Sequence, residues 1–325
     1  MNPIILAIIL FTLLGCGGRS EEKELKLGHG LDISHPVHTG MVYMAKRLDE
    51  ISEGKLTIKI YPSGQLGNER ECLELLQIGS LAITKVSAAV VENFAPNFKV
   101  LGLPYLFEDQ DHLYRVLDGE IGEKLLQEGE KYRFRGLCYY DAGSRSFYTK
   151  DKPVNTPADL QGMKIRVMKS NTAVNMVNQL GGSPTPISFG ELYTALQQGV
   201  VDGAENNPPS FYSSRHYEVC KYYSLDEHTS VPDVLLVSQD WWQGMTDQEQ
   251  RWLKQAATES VVYQRKVWAE SVKESLAAVK EAGVEVIYPD KSKFSSQVAP
   301  IYDSYKDDTE KFELIMRIKA MADEK

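Results

Sequence analysis

The first part of the chain alternates between two hydrophobic patterns, and no other feature constrains its fold as strongly. Residues 25–30 and 55–61 show the every-second-residue pattern of strands, whereas the apolar residues of segment 41–51 recur at helical spacing. A second helical pattern opens after Leu66, and residues 81–86 follow as a third strand pattern. Strands that alternate with helices predict an α/β domain built on a parallel sheet.

Further strand and helix patterns continue toward the C-terminus, and one helix is unusually long. The helical pattern of residues 247–282 corresponds to about 54 Å at 1.5 Å per residue, more than the width of one small domain. A chain of 325 residues is also long enough for about two domains. The sequence therefore predicts two α/β lobes braced by this helix, whose buried stripe includes Val262 and Trp268, with a cleft between the lobes. The other predicted elements are strands at 134–140, 144–149, 163–167 and 233–238, a short strand before Ile187, a strand that reaches Gly203, and helices at 171–180 and 188–198.

Charge and motif content narrow the possible functions. The chain carries 36 Lys and Arg residues against 45 Asp and Glu residues, and the resulting net charge of −9 disfavours nucleic-acid binding. The sequence contains no nucleophile elbow, Walker loop, zinc-protease motif or dinucleotide fingerprint, so it offers no support for an enzyme. His35 and His38 have a spacing that suits a metal on a helix, but no third ligand stands nearby. We therefore predict neither a metal nor a cofactor.

The N-terminal residues have the pattern of a bacterial export signal. Residues 1–15 include no charged side chain, and their apolar run of about eleven residues is too short to span a membrane. The Leu-Leu-Gly sequence before Cys16 resembles a lipobox, in which cleavage leaves a lipid-bearing cysteine. The prediction is a signal peptide at 1–15 and a lipidated tether at 16–23. A buried helix or a misassigned start codon is the alternative interpretation.

The other cysteines do not form a disulfide framework. They are Cys72, Cys138 and Cys220, an odd number, and no two of them form a Cys-x-x-Cys pair. Because Cys72 also lies within a helical pattern, we predict three buried thiols.

Two arginines have apolar neighbours in predicted strands, where an unpaired charge is costly to bury. Arg145 and Arg166 are each expected either to pair with an internal carboxylate or to await an anionic ligand. A guanidinium matches a carboxylate through two parallel hydrogen bonds, which favours an acidic ligand. Asn206 and Asn207 add amides that can donate to a carboxylate or to a sugar hydroxyl.

Four stretches, in a fixed order along the chain, carry a resemblance to a known family. They are YPSGQLG at 61–67, GLPYLF at 102–107, TPADLQGMKIR at 156–166 and ALQQGVVDGAEN at 195–206. Together they resemble the substrate-binding subunits of TRAP transporters, the DctP-like periplasmic proteins. The resemblance implies an α/β, two-lobed periplasmic binding protein of the venus-flytrap type with a long brace helix. It also implies sodium-driven uptake of an organic acid through separate membrane subunits.

Carried over onto this sequence, the resemblance implies a carboxylate site on the second lobe. Arg166 is similar to the family's carboxylate-binding arginine, and Arg145 is similar to a second arginine in the preceding strand. Asn206 matches the asparagine of the family's ENP motif, in which this chain has Asn207 instead of proline. Phe189 is similar to an aromatic residue that lines the cleft in the family.

The resemblance also implies that residues of the first lobe and of the crossover face the ligand. Glu69 and Asp233 are expected to accept hydrogen bonds from ligand hydroxyls. Lys85 is expected either to pair with Glu69 or to hold a second ligand carboxylate. The full set on this side is His29, His35, Glu69, Lys85, Ser87 and Asp233.

The predicted division of the chain follows from these elements and from the family order. The first lobe comprises residues 24–143 and 232–271, and the second comprises 144–231 and 272–325. The expected partners are a small organic acid and the membrane subunits of a TRAP transporter, with no nucleic acid. We expect a monomer at the periplasmic or extracytoplasmic face, anchored by lipid at Cys16.

The expected ligand is a hexuronate such as glucuronate or galacturonate. One carboxylate at Arg166 with hydroxyls near Glu69, Asn207 and Asp233 describes a sugar acid, whereas acidic acceptors would repel a second carboxylate. A dicarboxylate-binding subunit is the alternative that Lys85 leaves open. A periplasmic ligand sensor and an enzyme such as a uronate lyase are the alternatives from other functional classes.

Overall fold

The computed structural model describes residues 22–323, in which the strands form two β-sheets. The strands are β1 (Lys23–Gly28), β2 (Leu56–Tyr61), β3 (Ile83–Ser87), β4 (Phe134–Tyr140), β5 (Arg145–Thr149), β6 (Lys164–Val167), β7 (Ser183–Pro186), β8 (Gly203–Asn206), β9 (Tyr222–Thr229), β10 (Asp233–Ser238) and β11 (Glu285–Ile287). The mixed α/β class predicted from the sequence is confirmed.

Helices connect most of these strands. The α-helices are α1 (Pro36–Ser52), α2 (Glu69–Gln77), α3 (Ala88–Val91), α4 (Gln110–Asp118), α5 (Glu120–Glu128), α6 (Asn171–Gln179), α7 (Leu192–Gln197), α8 (Pro208–Ser213), α9 (Gln239–Gln243), α10 (Asp247–Glu281), α11 (Lys291–Val298), α12 (Pro300–Asp303) and α13 (Thr309–Ala320). Short 3₁₀ helices lie at Pro96–Gly102, Gly129–Tyr132, Pro157–Leu160, Phe189–Glu191, His216–Glu218 and Met321–Asp323.

The first sheet has the strand order β2-β1-β3-β10-β4. Strands β1, β2 and β3 are parallel and are joined by α1 and α2, as the alternating pattern predicted. Strand β10 returns from the second half of the chain and pairs antiparallel with both β3 and β4. Because β1 and β3 run in the same direction, the loop after β1 and the end of β3 reach the same edge of this sheet.

The second sheet has the order β11-β9-β5-β8-β6-β7. Strand β8 lies at its centre, antiparallel to β5 and parallel to β6. The chain enters this sheet through residues 141–144, between β4 and β5, and leaves it through residues 230–232, between β9 and β10. These two segments and the helix α10, which leads from β10 to β11, connect the sheets, so they determine which side chains of the two sheets face each other.

Helix α10 contacts elements that belong to both sheets. It packs along α1 and against β4, and it also packs against α8, which follows β8 of the second sheet. The side-chain amide of Gln264 forms two hydrogen bonds with the first connecting segment, residues 141–144. It accepts from the backbone N–H of Asp141 (2.9 Å) and donates to the Asp141 carbonyl (2.7 Å). Trp268 is buried as predicted, whereas Val262 is 73% exposed. This helix therefore holds the crossover in place, as a brace between the sheets.

Several element boundaries differ from the sequence predictions. Strand β8 begins at Gly203 instead of ending there, because the residues that pair with β5 are Gly203 to Asn206. The segment after Ser188 starts as a 3₁₀ turn and becomes α-helical only at Leu192. Helix α13 packs with the core beside the first sheet, where Ile318 accepts a hydrogen bond through its carbonyl from His112 (2.8 Å). That placement differs from the predicted assignment of residues 272–325 to the second lobe.

The remaining predictions about the chain concern cysteines, metals and membrane spans. Cys72, Cys138 and Cys220 are free and buried, as predicted. Cys16 and the signal segment lie outside the described residues. Between residues 22 and 323, no group of His, Cys, Asp or Glu side chains is arranged to hold a metal ion. No helix in that same range is long and apolar enough to cross a membrane.

Candidate functional site

A cavity between the two sheets gathers most of the predicted site residues. Its wall includes all of them except His29. The predicted residues that line it are His35, Glu69, Lys85, Ser87, Arg145, Arg166, Phe189, Asn206, Asn207 and Asp233. The strands β3, β5, β6, β8 and β10 carry six of these side chains, and the other four lie at the starts of α1, α2 and α8 and in the 3₁₀ turn after β7. Both sheets therefore contribute to one site.

Arg166 is a buried cation without a carboxylate partner among the described residues. It lies in β6, is 2% exposed, and donates from Nε to the carbonyl of Ile187 (2.8 Å). Its Nη1 atom is buried and has no hydrogen-bond partner in the described part of the chain. The guanidinium carbon lies 5.9 Å from the ring centre of Phe189. Burial lowers the pKa of Arg166, yet a guanidinium stays charged at neutral pH, so this side chain presents an unpaired positive charge to the cavity.

Arg145 differs from Arg166 because its guanidinium is fully engaged. It contacts both carboxylate oxygens of Glu205, and its Nη2 also donates to the Glu205 carbonyl (2.7 Å). Its Nη1 donates to Oδ1 of Asn206 (2.7 Å). Of the two expectations for Arg145, the internal ion pair is the one found. Arg145 therefore supports the cavity wall and holds Asn206 rather than offering a free cation.

Glu205 and its neighbours form a buried charge network that the sequence analysis missed. His228 lies between two carboxylates, with Nδ1 2.8 Å from Asp226 Oδ2 and Nε2 3.5 Å from Glu205 Oε2. Although burial opposes the charged form, Asp226 and Glu205 raise the pKa of His228 to about 9. Burial likewise opposes ionisation of Glu205, but Arg145 and His228 lower its pKa to about 2. Polar residues at alternate positions of β9 were the available signal, since Asp226 and His228 share one face of that strand.

Asn206 is oriented by two donors. Its Oδ1 accepts from Arg145 Nη1 and from the backbone N–H of Asn207 (2.9 Å). With the oxygen so engaged, the amide nitrogen is left to donate, and it makes no hydrogen bond to the residues that the structure describes. Asn207 caps α8 by accepting from the N–H of Ser210 (2.8 Å). Asn207, which takes the place of the proline that the resemblance implies, thus serves as the cap of this helix.

Three side chains on the opposite wall form a second charged group, which we call the Lys85 cluster (Glu69, Lys85 and Asp233). Lys85 is 2% exposed, and its Nζ lies 2.8 Å from Glu69 Oε1 and 3.2 Å from Asp233 Oδ1. The N–H of Ser87 donates to the same Glu69 oxygen (3.2 Å), while the Ser87 hydroxyl caps α3. Burial alone would lower the pKa of Lys85, but Asp233 and Glu69 raise it. Of the two alternatives expected for Lys85, the structure shows the pairing with Glu69.

His35 is neutral and connects the two halves of the cavity. Its Nδ1 accepts from the N–H of Val37 (3.2 Å), which caps α1, so the proton lies on Nε2. Nε2 donates to the hydroxyl of Ser210 in α8 (3.1 Å). Burial is the main cause that lowers the pKa of His35 to about 3, so it remains uncharged at neutral pH.

His29 does not line the cavity, contrary to the prediction. Its Nδ1 accepts from the N–H of Leu31 (3.1 Å), and its Nε2 lies 3.0 Å from Nδ1 of His38. Both ring nitrogens are thus used within the loop after β1 and the start of α1. Burial lowers the pKa of His29 to about 2, which makes it a structural, uncharged side chain.

Other residues of the wall were missed because they have no chemical signature in the sequence. Several are apolar or glycine, and two are charged residues at more open positions, Arg70 and Lys169. The remaining wall residues are Gly30, Leu31, Asn68, Val90, Ala142, Met168, Ile187, Ser188, Gly190, Ser210 and Val231. Asn68 and Ser188 carried the usable signal, since each directly precedes a predicted residue in the sequence.

A protein family and a curated relative both match most of this chain. The family described as bacterial extracellular solute-binding protein, family 7 (DctP) matches residues 27–308. A curated solute-binding protein of Chromohalobacter salexigens is 37% identical over 273 residues, which is 84% of this chain and 81% of that protein.

Two solved structures are similar over nearly the full chain. One is a TRAP periplasmic solute-binding protein of a Bradyrhizobium species in complex with α/β-D-galacturonate. It matches with a TM-score of 0.90 and 39% identity, and the match covers 92% of this chain and 100% of that protein's chain. The other is a TRAP periplasmic solute-binding protein of Anaerococcus prevotii with bound α/β-D-glucuronate. It matches with a TM-score of 0.91 and 37% identity, and the match covers 93% of this chain and 99% of that protein's chain.

Proposed function

Because the chain belongs to the DctP family of bacterial extracellular solute-binding proteins, family 7, we propose that it captures a hexuronate for uptake by a TRAP transporter. Members of this family bind solutes and do not transform them, in keeping with the absence of catalytic motifs from the sequence. Galacturonate and glucuronate are the ligands named for the two similar structures described above. The hexuronate is proposed for this chain on the chemistry of its own cavity.

The observation that carries the proposal is the unpaired guanidinium of Arg166. An isolated buried charge is strongly unfavourable unless it is paired. In the described residues Arg166 has a carbonyl partner at Nε but none at Nη1, and it faces a cavity. A ligand carboxylate would supply the missing acceptors through charge-assisted hydrogen bonds. We therefore infer that the acidic group of the ligand binds here, with Phe189 against the guanidinium.

The other groups of the cavity suit hydroxyls. Glu69 and Asp233 offer carboxylate oxygens, and the amide nitrogen of Asn206 is available to donate. The hydroxyl oxygen of Ser210 accepts a hydrogen bond from Nε2 of His35, which leaves the Ser210 hydroxyl hydrogen free to donate to a ligand oxygen. Arg166 is the one buried cation without a carboxylate partner among the cavity residues that the structure describes. Donors and acceptors on the walls opposite and beside it match a ring that carries one carboxylate and several hydroxyls.

A competition between ligand classes tests the proposal. Purified protein is titrated calorimetrically with galacturonate, glucuronate, succinate, malate and fumarate, and its thermal unfolding is followed with each ligand. We expect a hexuronate to bind most tightly, and a ligand at 100 times its Kd adds about 2.7 kcal/mol of stability. Tighter binding of succinate, malate or fumarate than of either hexuronate would contradict the hydroxyl roles of Glu69 and Asp233.

The proposed setting is the extracytoplasmic face of a bacterium. The partners would be the membrane subunits of a TRAP transporter, and the protein would act as a monomer tethered by lipid at Cys16. Uptake of radiolabelled hexuronate by cells with and without this protein separates transport from a sensor role. Loss of uptake in cells that lack the protein supports transport, whereas unchanged uptake with a lost transcriptional response would support a sensor.

A further inference from the structure

The Lys85 cluster presents acids to the cavity rather than a free cation. Two ammonium protons of Lys85 are directed at Glu69 Oε1 and Asp233 Oδ1. Glu69 Oε2 and Asp233 Oδ2 accept no hydrogen bond from the residues that the structure describes. Because these residues line the cavity, those oxygens are placed to accept from ligand hydroxyls, and the third proton of Lys85 is left to donate.

The charge of the Lys85 cluster does not favour an anion. One ammonium faces two carboxyl groups, so the cluster is neutral or negative whichever protonation state Asp233 takes. Burial raises the pKa of Asp233, while Lys85 opposes that rise. Arg166 has the opposite character, since it is a cation without a carboxylate partner in the described residues. The cavity therefore has one cationic wall and one wall that is already neutralised.

The other cations of the wall do not change this balance. Arg70 and Lys169 also line the cavity, but both are exposed to solvent. The Nε of Arg70 is moreover paired with Glu74 at 2.9 Å. Exposed charges are screened by water and ions and contribute little to binding. A second ligand carboxylate beside the Lys85 cluster would meet the acids Glu69 and Asp233.

We propose that the Lys85 cluster makes the site selective for sugar acids with one carboxylate over the corresponding six-carbon diacids. Glu69 and Asp233 both accept from the ligand hydroxyls and hold Lys85, so that the lysine cannot serve as a second carboxylate site. Like charges brought together at a desolvated site are rejected on the order of 100-fold. This inference rests on the proposed function, because it assumes that Arg166 binds the first carboxylate.

The test compares galacturonate, which has one carboxylate, with galactarate, which has a carboxylate at each end. Kd values for both are measured by calorimetry on the full protein and on the variants Glu69→Gln and Asp233→Asn. Each variant replaces one carboxyl group by a neutral amide and leaves Lys85 with a single carboxyl partner. We expect wild type to prefer galacturonate by about 100-fold, and each variant to shift the ratio of the two Kd values at least about tenfold toward galactarate.

The control is Glu274→Gln, which makes the same change at an exposed position on α10 outside the cavity. Its ratio of Kd values should equal that of wild type. The inference is overturned if wild type binds galactarate as tightly as galacturonate, or if neither cavity variant shifts the ratio while galacturonate still binds. A wild-type protein that binds galactarate and no hexuronate would overturn both this inference and the proposed function. The two failures are thus distinguishable.

Discussion

Arg145 and Arg166 flank the central strand of the second sheet, and only Arg145 has a carboxylate partner in the described residues. Strands β5 and β6 carry them on either side of β8. Arg145 contacts both carboxylate oxygens of Glu205, whereas Arg166 donates to the carbonyl of Ile187 and keeps a buried Nη1 without a partner. Two arginines with similar sequence surroundings therefore have different energetic roles. Arg145 stabilises the folded protein through its internal ion pair, whereas Arg166 is available to bind an anion.

The first prediction concerns Arg166 and ligand affinity. Charge-assisted hydrogen bonds contribute roughly 1.5–3 kcal/mol each, so loss of two of them in Arg166→Ala should weaken galacturonate binding at least about 100-fold. Arg166→Lys should also bind weakly, because a point charge cannot form both parallel bonds. Calorimetry measures the affinity, and thermal unfolding without ligand should show no large loss of stability. Near wild-type affinity in Arg166→Ala would exclude this residue from the site.

The second prediction concerns Arg145 and stability. Removal of one member of a buried ion pair typically costs 3–5 kcal/mol. Arg145→Ala leaves Glu205 with only the more distant His228, at 3.5 Å, so this variant should unfold at markedly lower denaturant concentration than Arg166→Ala. The double variant Arg145→Met with Glu205→Leu should recover much of that loss, since no charge remains unpaired. Equal stability of Arg145→Ala and Arg166→Ala would argue against the different roles of the two arginines.

The third prediction is a pH dependence that His228 causes. Its pKa of about 9 in the folded protein lies above the usual value of 6.5, so the folded state binds the proton more tightly than the unfolded state. The stabilisation is complete below about pH 6.5 and is lost as the pH rises through about 9. Urea unfolding should show the free energy of unfolding falling by on the order of 1–3 kcal/mol across this window.

The variant His228→Gln isolates that effect. The other strongly shifted histidines, His29, His35 and His216, have pKa values lowered to about 2 or 3, mainly by burial. They therefore stabilise the folded state as the pH rises toward and just past 6.5, which is opposite in sign to the effect of His228. The decline between pH 6.5 and 9 should therefore disappear in His228→Gln. A decline of the same size in this variant would assign the pH dependence to another group.

The fourth prediction concerns the packing of α1 against α10 at Gly40. A methyl group there would lie 2.8 Å from Gln264 Cγ and 3.0 Å from a ring carbon of Tyr140. Gln264 cannot easily move, because both ends of its amide are bonded to the Asp141 backbone. Gly40→Ala should therefore destabilise the protein by about 1–3 kcal/mol, as overpacked cores do. The control is Gly30→Ala, where no heavy atom lies within 4 Å, and denaturant unfolding of both variants provides the measurement.

The fifth prediction concerns Cys16, which precedes the described residues. If the Leu-Leu-Gly-Cys sequence is a lipobox, the exported protein should begin with Cys16 and carry lipid on it. Mass spectrometry of the membrane fraction reads this directly, and Cys16→Ser should release the protein or leave it uncleaved. An exported protein with an intact Met1, or with unmodified Cys16, would rule out the lipid anchor.

The sequence alone determined the local elements and the chemistry available to the site. Hydrophobic periodicity is a property of neighbouring residues, so it predicted β4 and β10 with the bounds that the structure has, and α10 to within a residue. The types of residue that would meet an acidic ligand were also evident, because a guanidinium in an apolar strand requires a partner. Every predicted binding residue except His29 lines the cavity.

Only the tertiary structure decided which partner each of these groups has. Glu205 is far from Arg145 along the chain, and β8 brings it alongside, whereas no carboxylate of the described residues reaches Arg166. Likewise, His29 and His35 share one loop, yet only His35 faces the cavity. Helix α13 lies beside the first sheet for a similar reason, through contacts with α4. Pairing depends on distances between segments remote in sequence, and a local hydrophobic pattern does not record those distances.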